Sequence, residues 1–433
     1  MSDVLVVEPG AALCGRVQVP GDKSISHRAL LFNAFATGRA TVTGLLDAED
    51  VRSTASCLRA LGAEISDGGG EVIGVAGRLS EPQDVLHCGN SGTTMRLLTG
   101  LLAGQPLHAV LTGDDTLRRR PMRRVTAPLR LMGAQIDGRD QGERAPLSIR
   151  GQRPLRGLTY DSPVASAQVK TALILAAMQA EGELVFSEPF VSRDHTERLL
   201  GAMGVEIHRD GARLVVPGGQ VPRAVDVVVP GDISSAAFFL VAASICEGSE
   251  LVLEGVGLNP TRDGVLEALD AMGADVRREN ERVVSGEPVG DLRVRSASLR
   301  GVTLGGGLIP RLIDELPVLA VAAAFAEGET LIRDAQELRV KESDRVATTV
   351  GLLRAFGVEA EERPDGLRVV GRGRAGLKAA SVSTQGDHRV GMAAAVLALA
   401  LPAGAGPSTV HSADCIRTSF PSFPDLLERL RAR

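Results

Sequence analysis

The stretch ALGAEI, residues 60–65, closes an amphipathic run with a glycine and enters an apolar one. The same phrase returns as LMGAQI (131–136), AMGVEI (202–207), AMGADV (271–276) and AFGVEA (355–360), roughly 70 to 85 residues apart. A helix stopped by a glycine cap and followed by a strand explains each copy. A second phrase interleaves with it: a polar motif, an Ala/Leu-rich run, then usually Gly. Its copies are KSISHR before ALLFNAFATG, GNSGTTMR before LLTGLLAG, SAQVK before TALILAAMQAEG, GDISSA before AFFLVAASICEG, RLIDELP before VLAVAAAFAEG and DHRVG before MAAAVLALALPAG. The chain therefore reads as six units, each with one buried helix, one amphipathic helix and several short strands.

Two similar turns punctuate the series, VPGDKS from Val19 and VPGDISS from Val229. They predict an inserted domain, residues 22–231, and a discontinuous one, residues 1–21 plus 232–433. Each holds three units, and the first twenty residues read as strands of the second. The fold class is α/β, two pseudo-symmetric domains whose paired crossovers make a natural hinge.

Composition narrows the function. The chain has 433 residues, 44% hydrophobic and only 3% aromatic, with no Trp, one Tyr and a net charge of −5. A base-stacking nucleic-acid binder wants aromatics in a basic groove, so no nucleic-acid partner is expected. Five scattered cysteines without a CxxC pair argue against a disulfide framework or zinc knuckle and fit a cytoplasmic location. The N-terminus lacks a signal-peptide pattern, and the longest apolar run, about residues 390–401, is too short to span a bilayer. No membrane association is expected. Nearly every basic residue is Arg; the lysines are Lys23, Lys170, Lys341 and Lys378. Where such a chain keeps Lys, a compact, tunable ammonium can be the requirement.

Each buried helix begins at a polar motif, and helix N-termini attract anions. If the helices of a domain run parallel, their starts converge. Two facing sets would then line an anion-binding cleft. The plainer reading is that Ser, Asp and Asn are N-caps. DKSISHR sets Lys23, Ser24 and Arg28 within one and a half turns, a combination suited to phosphate or carboxylate. GNSGTTMR is a Gly-rich turn at a helix start, without the GK[ST] of a P-loop. TLRRRPMRR carries five arginines, read either as a solvated loop or as a clamp led by Arg120. Asp314 and Glu315 precede a buried helix, where an acid serves as a cap or as a base for a substrate hydroxyl. LRVKESDR places Lys341 and Arg345 at i, i+4 on one helix face, with Glu342 between. DHRVG supplies His388 and Arg389.

Taken together, PGDKSISHR, GNSGTTMRLL, RRRPM, SAQVKTA, SRDHTE, IDELP, RVKESDR, GDHRVGMA and TSFPSF, in this order, resemble the EPSP synthase (3-phosphoshikimate 1-carboxyvinyltransferase) family along essentially the whole chain. The resemblance implies two inside-out α/β domains, each of three repeated units with buried parallel helices, with the active site in the cleft between them. It implies transfer of the enolpyruvyl group of phosphoenolpyruvate to the 5-hydroxyl of 3-phosphoshikimate, with release of phosphate and no metal or organic cofactor. A cytoplasmic monomer is expected. Lys23, Ser24, Arg28, Ser166, Gln168, Ser192, Asp314 and Lys341 would bind 3-phosphoshikimate. Lys23, Gly92, Arg120, Gln168, Arg345 and Arg389 would bind phosphoenolpyruvate. Asp314, Glu342 and Lys23 match the acid–base positions, with the assignment among them open.

The sequence also departs from the family pattern. Ala167 stands where some members carry a second Ser, Glu337 where others have Asn, and Thr418 where many have Lys, with Arg417 beside it as a substitute. GDKS, SAQVK, RDHTE and NPTR resemble the subgroup often insensitive to glyphosate, whereas Gly92 is the residue of sensitive members. Two rivals are a UDP-N-acetylglucosamine enolpyruvyl transferase and a non-catalytic phosphometabolite or RNA-end binder on a similar repeat fold. The Arg-rich loop lacks the Cys usual in the first, and the N-terminal motif reads KS rather than KN. The acid pair Asp314/Glu342 and the few aromatics argue against the second.

Overall fold

Each of the five glycine phrases ends a helix. In the computed structural model, which describes residues 3–431, Gly62, Gly133, Gly204, Gly273 and Gly357 follow the helices Glu49–Ala60, Arg123–Leu131, His195–Ala202, Gly264–Ala271 and Arg345–Ala355. All five glycines are left-handed, with φ between 84° and 106°. A side chain disfavours that conformation. The next amide reaches back five residues, as in Ala63 N to Leu58 O at 3.1 Å and Val358 N to Leu353 O at 3.0 Å. Carbonyls at the helix end are thereby satisfied before the chain enters a strand.

The Ala/Leu-rich runs form six helices: α1 (Lys23–Phe35), α2 (Gly92–Ala103), α3 (Ala167–Ala177), α4 (Ile233–Ile245), α5 (Leu316–Phe325) and α6 (His388–Leu399). They start earlier than the apolar runs suggest, because the polar motifs form their first turns. Every residue of α4, α5 and α6 is buried. A helix apolar on all faces is stable only when sheathed on all sides. No helix among the described residues is long and apolar enough to cross a membrane.

The chain divides into two compact units. One comprises Met1–Pro20, Pro230–Val283 and Pro288–Arg433; the other comprises Gly21–Val229 and Val284–Glu287. We call them the outer and the inserted unit. Val284–Glu287, the turn joining strands Asp275–Val284 and Glu287–Arg295, is grouped with the inserted unit. The sequence pattern does not reveal this assignment.

In the inserted unit, α2 links Leu86–His87 to the parallel strand His108–Thr112, and α3 links Leu155–Asp161 to Ala180–Ser187. A hairpin then adds two antiparallel strands to each sheet, giving four strands apiece. The sheet of α1 takes Val227–Val228, from the far end of the unit, parallel to Arg39–Thr43. In the outer unit, α5 lies between the parallel strands Thr303–Leu304 and Glu327–Ile332. Cys14–Val17 pairs in parallel with Glu250–Gly257, and Val4–Val7 runs antiparallel to Ser408–His411. Each unit has its own apolar core.

Helices α2 and α3 run parallel. Gln168 Nε2 donates to Thr93 Oγ1 at 2.9 Å at their starts, and Gln105 pairs with Gln179 just past their ends. They touch at Gly100, where a Cβ would stand inside contact distance of the Ala172 backbone. Backbone atoms cannot swing aside as a side-chain tip can. Gly100→Ala should therefore cost about 1–3 kcal/mol by overpacking and lower the urea midpoint; an unchanged midpoint would show that the crossing has slack.

Candidate active site

Five of the six buried helices are capped by their own motif. Asp22, Ser91, Ser166, Asp232 and Asp387 accept from Ile25 N (2.8 Å), Thr94 N (3.1 Å), Val169 N (3.5 Å), Ser234 N (2.8 Å) and Arg389 N (3.0 Å). The plainer N-cap reading holds for these residues. Where the cap is Asp, a carboxylate already answers the helix dipole. The cationic side chains in and beside the first turns are therefore the candidates for anion recognition at those starts.

In the inserted unit, Lys23 is the first residue of α1, and its Nζ lies 3.2 Å from Asp50 Oδ2. The Asp50 carbonyl accepts from Thr94 Oγ1 at 3.4 Å, which ties this pair to the start of α2. Gly92 opens α2. A Cβ there would lie 2.9 Å from Arg96 Nη1 and 3.1 Å from Arg120 Nη1. Glycine thus admits two guanidiniums to the helix start. Arg96 donates to Gln168 Oε1 at 2.7 Å, and Arg120 to Asn90 Oδ1 at 2.9 Å. Gly92, Arg120 and Gln168 are therefore joined through Arg96, Thr93 and Asn90. Arg96 and Asp50 escaped the sequence reading. An arginine directly ahead of the apolar run LLTGLL was the available signal for the first. Nothing local signals Asp50, whose partner is 27 residues away.

The five arginines of TLRRRPMRR do not act alike. Arg118 and Arg119 sit on the short helix Asp115–Arg119, Arg120 caps it, and Arg123 begins the next helix with its side chain on Glu143. Arg120 is the buried one. Arg28, fully buried, donates to Thr196 Oγ1 (2.8 Å), Thr171 Oγ1 (2.9 Å) and the Ser24 carbonyl (2.9 Å). Burial pulls its guanidinium down to about 10, which leaves it charged at neutral pH. Ser166 caps α3. Ser192 is buried in the loop before His195–Ala202 and donates to Glu188 Oε1 at 2.9 Å.

The outer unit gathers Asp314, Lys341, Glu342, Arg345 and Arg389. Lys341 and Arg345 do not share a helix face: Lys341 ends the 3₁₀ turn Gln336–Val340, whereas Arg345 opens Arg345–Ala355 behind its cap Asp344. Both nevertheless reach Asp314 Oδ1, at 3.4 and 3.2 Å. Arg345 also meets Glu342 Oε2 at 2.6 Å and Asp387 Oδ2 at 2.8 Å. Burial would lower its pKa, but Asp387, Glu342 and Asp314 more than reverse this and hold it well above the usual value. Arg389 donates to the Asp314 carbonyl at 3.1 Å and lies 3.8 Å from Glu315. Glu315 occupies a cap position without making a cap bond; it pairs with Ser234 and approaches Arg262 at 3.6 Å. Thr418 ends the 3₁₀ turn Ala413–Thr418, with Arg417 exposed beside it.

The two clusters differ in charge. Lys23 pairs with Asp50, whereas the Arg96 and Arg120 guanidiniums donate to the neutral side chains of Gln168 and Asn90. In the outer unit, by contrast, the Arg345 guanidinium alone meets three carboxylates, Asp314, Glu342 and Asp387, and Lys341 shares the first of them. The first cluster suits anions. The second suits hydroxyl groups and proton transfer.

The chain is similar to known proteins along nearly its whole length. The family model of EPSP synthase (3-phosphoshikimate 1-carboxyvinyltransferase) matches residues 7–427. A 3-phosphoshikimate 1-carboxyvinyltransferase of Geobacter sulfurreducens is 53% identical over 429 residues, 98% of each chain. One of Gloeobacter violaceus is 55% identical over the full length of both. Among solved structures, EPSP synthase from Acinetobacter baumannii superposes with a TM-score of 0.87 at 42% identity, covering 99% of this chain and 98% of that one. The enolpyruvyl transferase NikO of Streptomyces tendae shares the fold, with a TM-score of 0.79 at 19% identity and coverage of 99% and 97%.

His27, beside this cluster on α1, has an acid response that can be measured. Its Nδ1 pairs with Thr54 Oγ1 at 2.7 Å. Burial, then the charges of Lys23 and Arg28, lower its pKa from 6.5 to about 3, against a small opposing effect of Asp22. The unfolded chain therefore binds an extra proton between these values, so His27 favours folding above pH 6.5 and opposes it as pH falls. His27→Gln should flatten the fall of the urea midpoint between pH 6.5 and 4. Parallel curves for variant and native protein would refute this assignment.

Proposed function

Given a chain that belongs to the EPSP synthase family, and so transfers the enolpyruvyl group of phosphoenolpyruvate to the 5-hydroxyl of 3-phosphoshikimate in the shikimate pathway, we propose that its two clusters divide the work by charge. The observation that carries this division is the approach of two guanidiniums to Gly92 in one unit and of three carboxylates to Arg345 in the other.

In this reading Lys23, Ser24, Arg28, Ser166, Gln168 and Ser192 bind the phosphate and neighbouring groups of 3-phosphoshikimate. Lys23, Gly92, Arg120 and Gln168 bind phosphoenolpyruvate. Gly92 does so by leaving room: with no Cβ, the Arg96 and Arg120 guanidiniums can approach the helix start together. Arg345 and Arg389 contribute from the outer unit, where Arg345 is already fixed on three carboxylates and pre-aimed. Asp314 and Lys341 take the ring hydroxyls.

The chemistry is addition followed by elimination. The 5-hydroxyl oxygen bonds to C2 of phosphoenolpyruvate and loses its proton to a base, while the C3 methylene gains a proton from an acid. The tetrahedral intermediate then returns a proton from C3 and expels phosphate, restoring the double bond. Asp314, Glu342 and Lys23 are the groups for these transfers. Asp314 and Glu342 share Arg345, so a proton gained by one is felt by the other. The arginines stabilise the negative charge as the intermediate forms. The enzyme acts as a cytoplasmic monomer in this reading.

Purified protein should release phosphate only when 3-phosphoshikimate and phosphoenolpyruvate are both present. Release with UDP-N-acetylglucosamine in place of 3-phosphoshikimate would overturn the substrate assignment. Lys23→Met should remove turnover while the protein still unfolds cooperatively, at a lowered midpoint because the buried Asp50 carboxylate loses its ammonium partner at 3.2 Å. Near-normal turnover in that variant would take Lys23 out of the site.

A further inference from the structure

Lys170 is the lysine of SAQVK that the proposed reaction leaves unused. It lies in α3 with its side chain 1% exposed. Its Nζ meets Glu197 Oε1 at 2.7 Å, Glu188 Oε1 at 3.3 Å and the Ser192 carbonyl at 3.2 Å. Glu188 Oε1 in turn accepts from Ser192 N at 2.8 Å and from Ser192 Oγ at 2.9 Å. Glu188 directly follows strand Ala180–Ser187, and Glu197 lies on helix His195–Ala202. One ammonium thus joins a buried helix, the end of a strand, a loop and a second helix.

Burying a charge is costly, and an aliphatic side chain would pack α3 without that cost. The feature that only an ammonium supplies here is a donor to Ser192 while both carboxylates are held. With its N–H on Glu188 and its C=O on Lys170, the Ser192 backbone is fixed at both ends. Its hydroxyl remains the one group free to rotate away from Glu188 toward a ligand.

We propose that Lys170 is a positioning residue: through Glu188 it holds the Ser192 loop in the conformation that receives 3-phosphoshikimate. The inference rests on the reading of Ser192 as a 3-phosphoshikimate ligand. Arg209, which approaches the same Glu197 oxygen at 4.0 Å and Asp194 at 3.4 Å, is a second cation at the start of this helix.

The test measures KM for each substrate, and kcat, in Lys170→Met, Glu188→Gln, Ser192→Ala and the Lys170→Met/Ser192→Ala double variant. Lys170→Met should raise KM for 3-phosphoshikimate about tenfold, the loss of one charge-assisted hydrogen bond, and leave KM for phosphoenolpyruvate within about twofold. Ser192→Ala should add little on that background, because the two residues act as one unit. Equal rises in both KM values, or additive effects of the two substitutions, would overturn the proposal. If Lys170→Met does not fold, Glu188→Gln decides. It keeps the side-chain volume and leaves Lys170 paired with Glu197, and it should raise the same KM selectively, by about threefold; an unchanged KM refutes the role. Wild-type turnover with both substrates is the control for the family reading itself, and its failure would be separate from these outcomes.

Discussion

Six helices buried on every side leave the polar backbone groups of their ends as a constraint on everything around them. A buried helix end needs partners for its free amides. Here Asp22, Ser91, Ser166, Asp232 and Asp387 provide them from the first turn itself. Polar side chains are thereby concentrated at helix starts, with a few, such as Asn33 in α1, Thr99 in α2 and Ser244 in α4, buried farther along. In the inserted unit, the parallel course of α2 and α3 brings their starts together at Thr93, Arg96 and Gln168. The candidate site is a by-product of how the core is built.

The same constraint decides which groups remain for chemistry. Cap carboxylates answer the helix dipoles of α1, α4 and α6, while α2 and α3 carry serine caps; in the proposed reading anion binding rests on arginines and lysines with their own supports. Arg120 is held by Asn90, and Arg28 by two threonines and a carbonyl. Arg345 is locked among three carboxylates. Such supports restrict rotamers before substrate arrives, which lowers the ordering cost of binding. Glu315 departs from the capping pattern. Although it stands at a cap position, its carboxylate turns to Ser234, Arg262 and Arg389 and links the starts of α4, α5 and α6.

Much of the architecture was legible in the chain. The glycine phrases and the Ala/Leu-rich runs are local signals, since a left-handed cap and an all-apolar helix each depend on a few adjacent residues. The motifs around Lys23, Gly92, Asp314, Arg345 and Arg389 marked the helix starts for the same reason. The i, i+4 pattern of Lys341 and Arg345 was misleading, because Asp344 starts a new helix between them. Their common partner, Asp314, is a tertiary neighbour.

The sequence by itself determined the six-fold repeat, the buried and amphipathic helices, the family and the helix starts that carry polar side chains. Each of these is set by short-range pattern. Only the tertiary structure decided the partners: Asp50 for Lys23, Arg96 for Gln168, and Glu188 and Glu197 for Lys170. It also grouped Val284–Glu287 with the inserted unit. A charged side chain is the same letter whether it is solvated, caps a helix or is buried against a carboxylate. What distinguishes these states is the neighbour that packing brings within about 3 Å, where low local polarity makes the interaction strong.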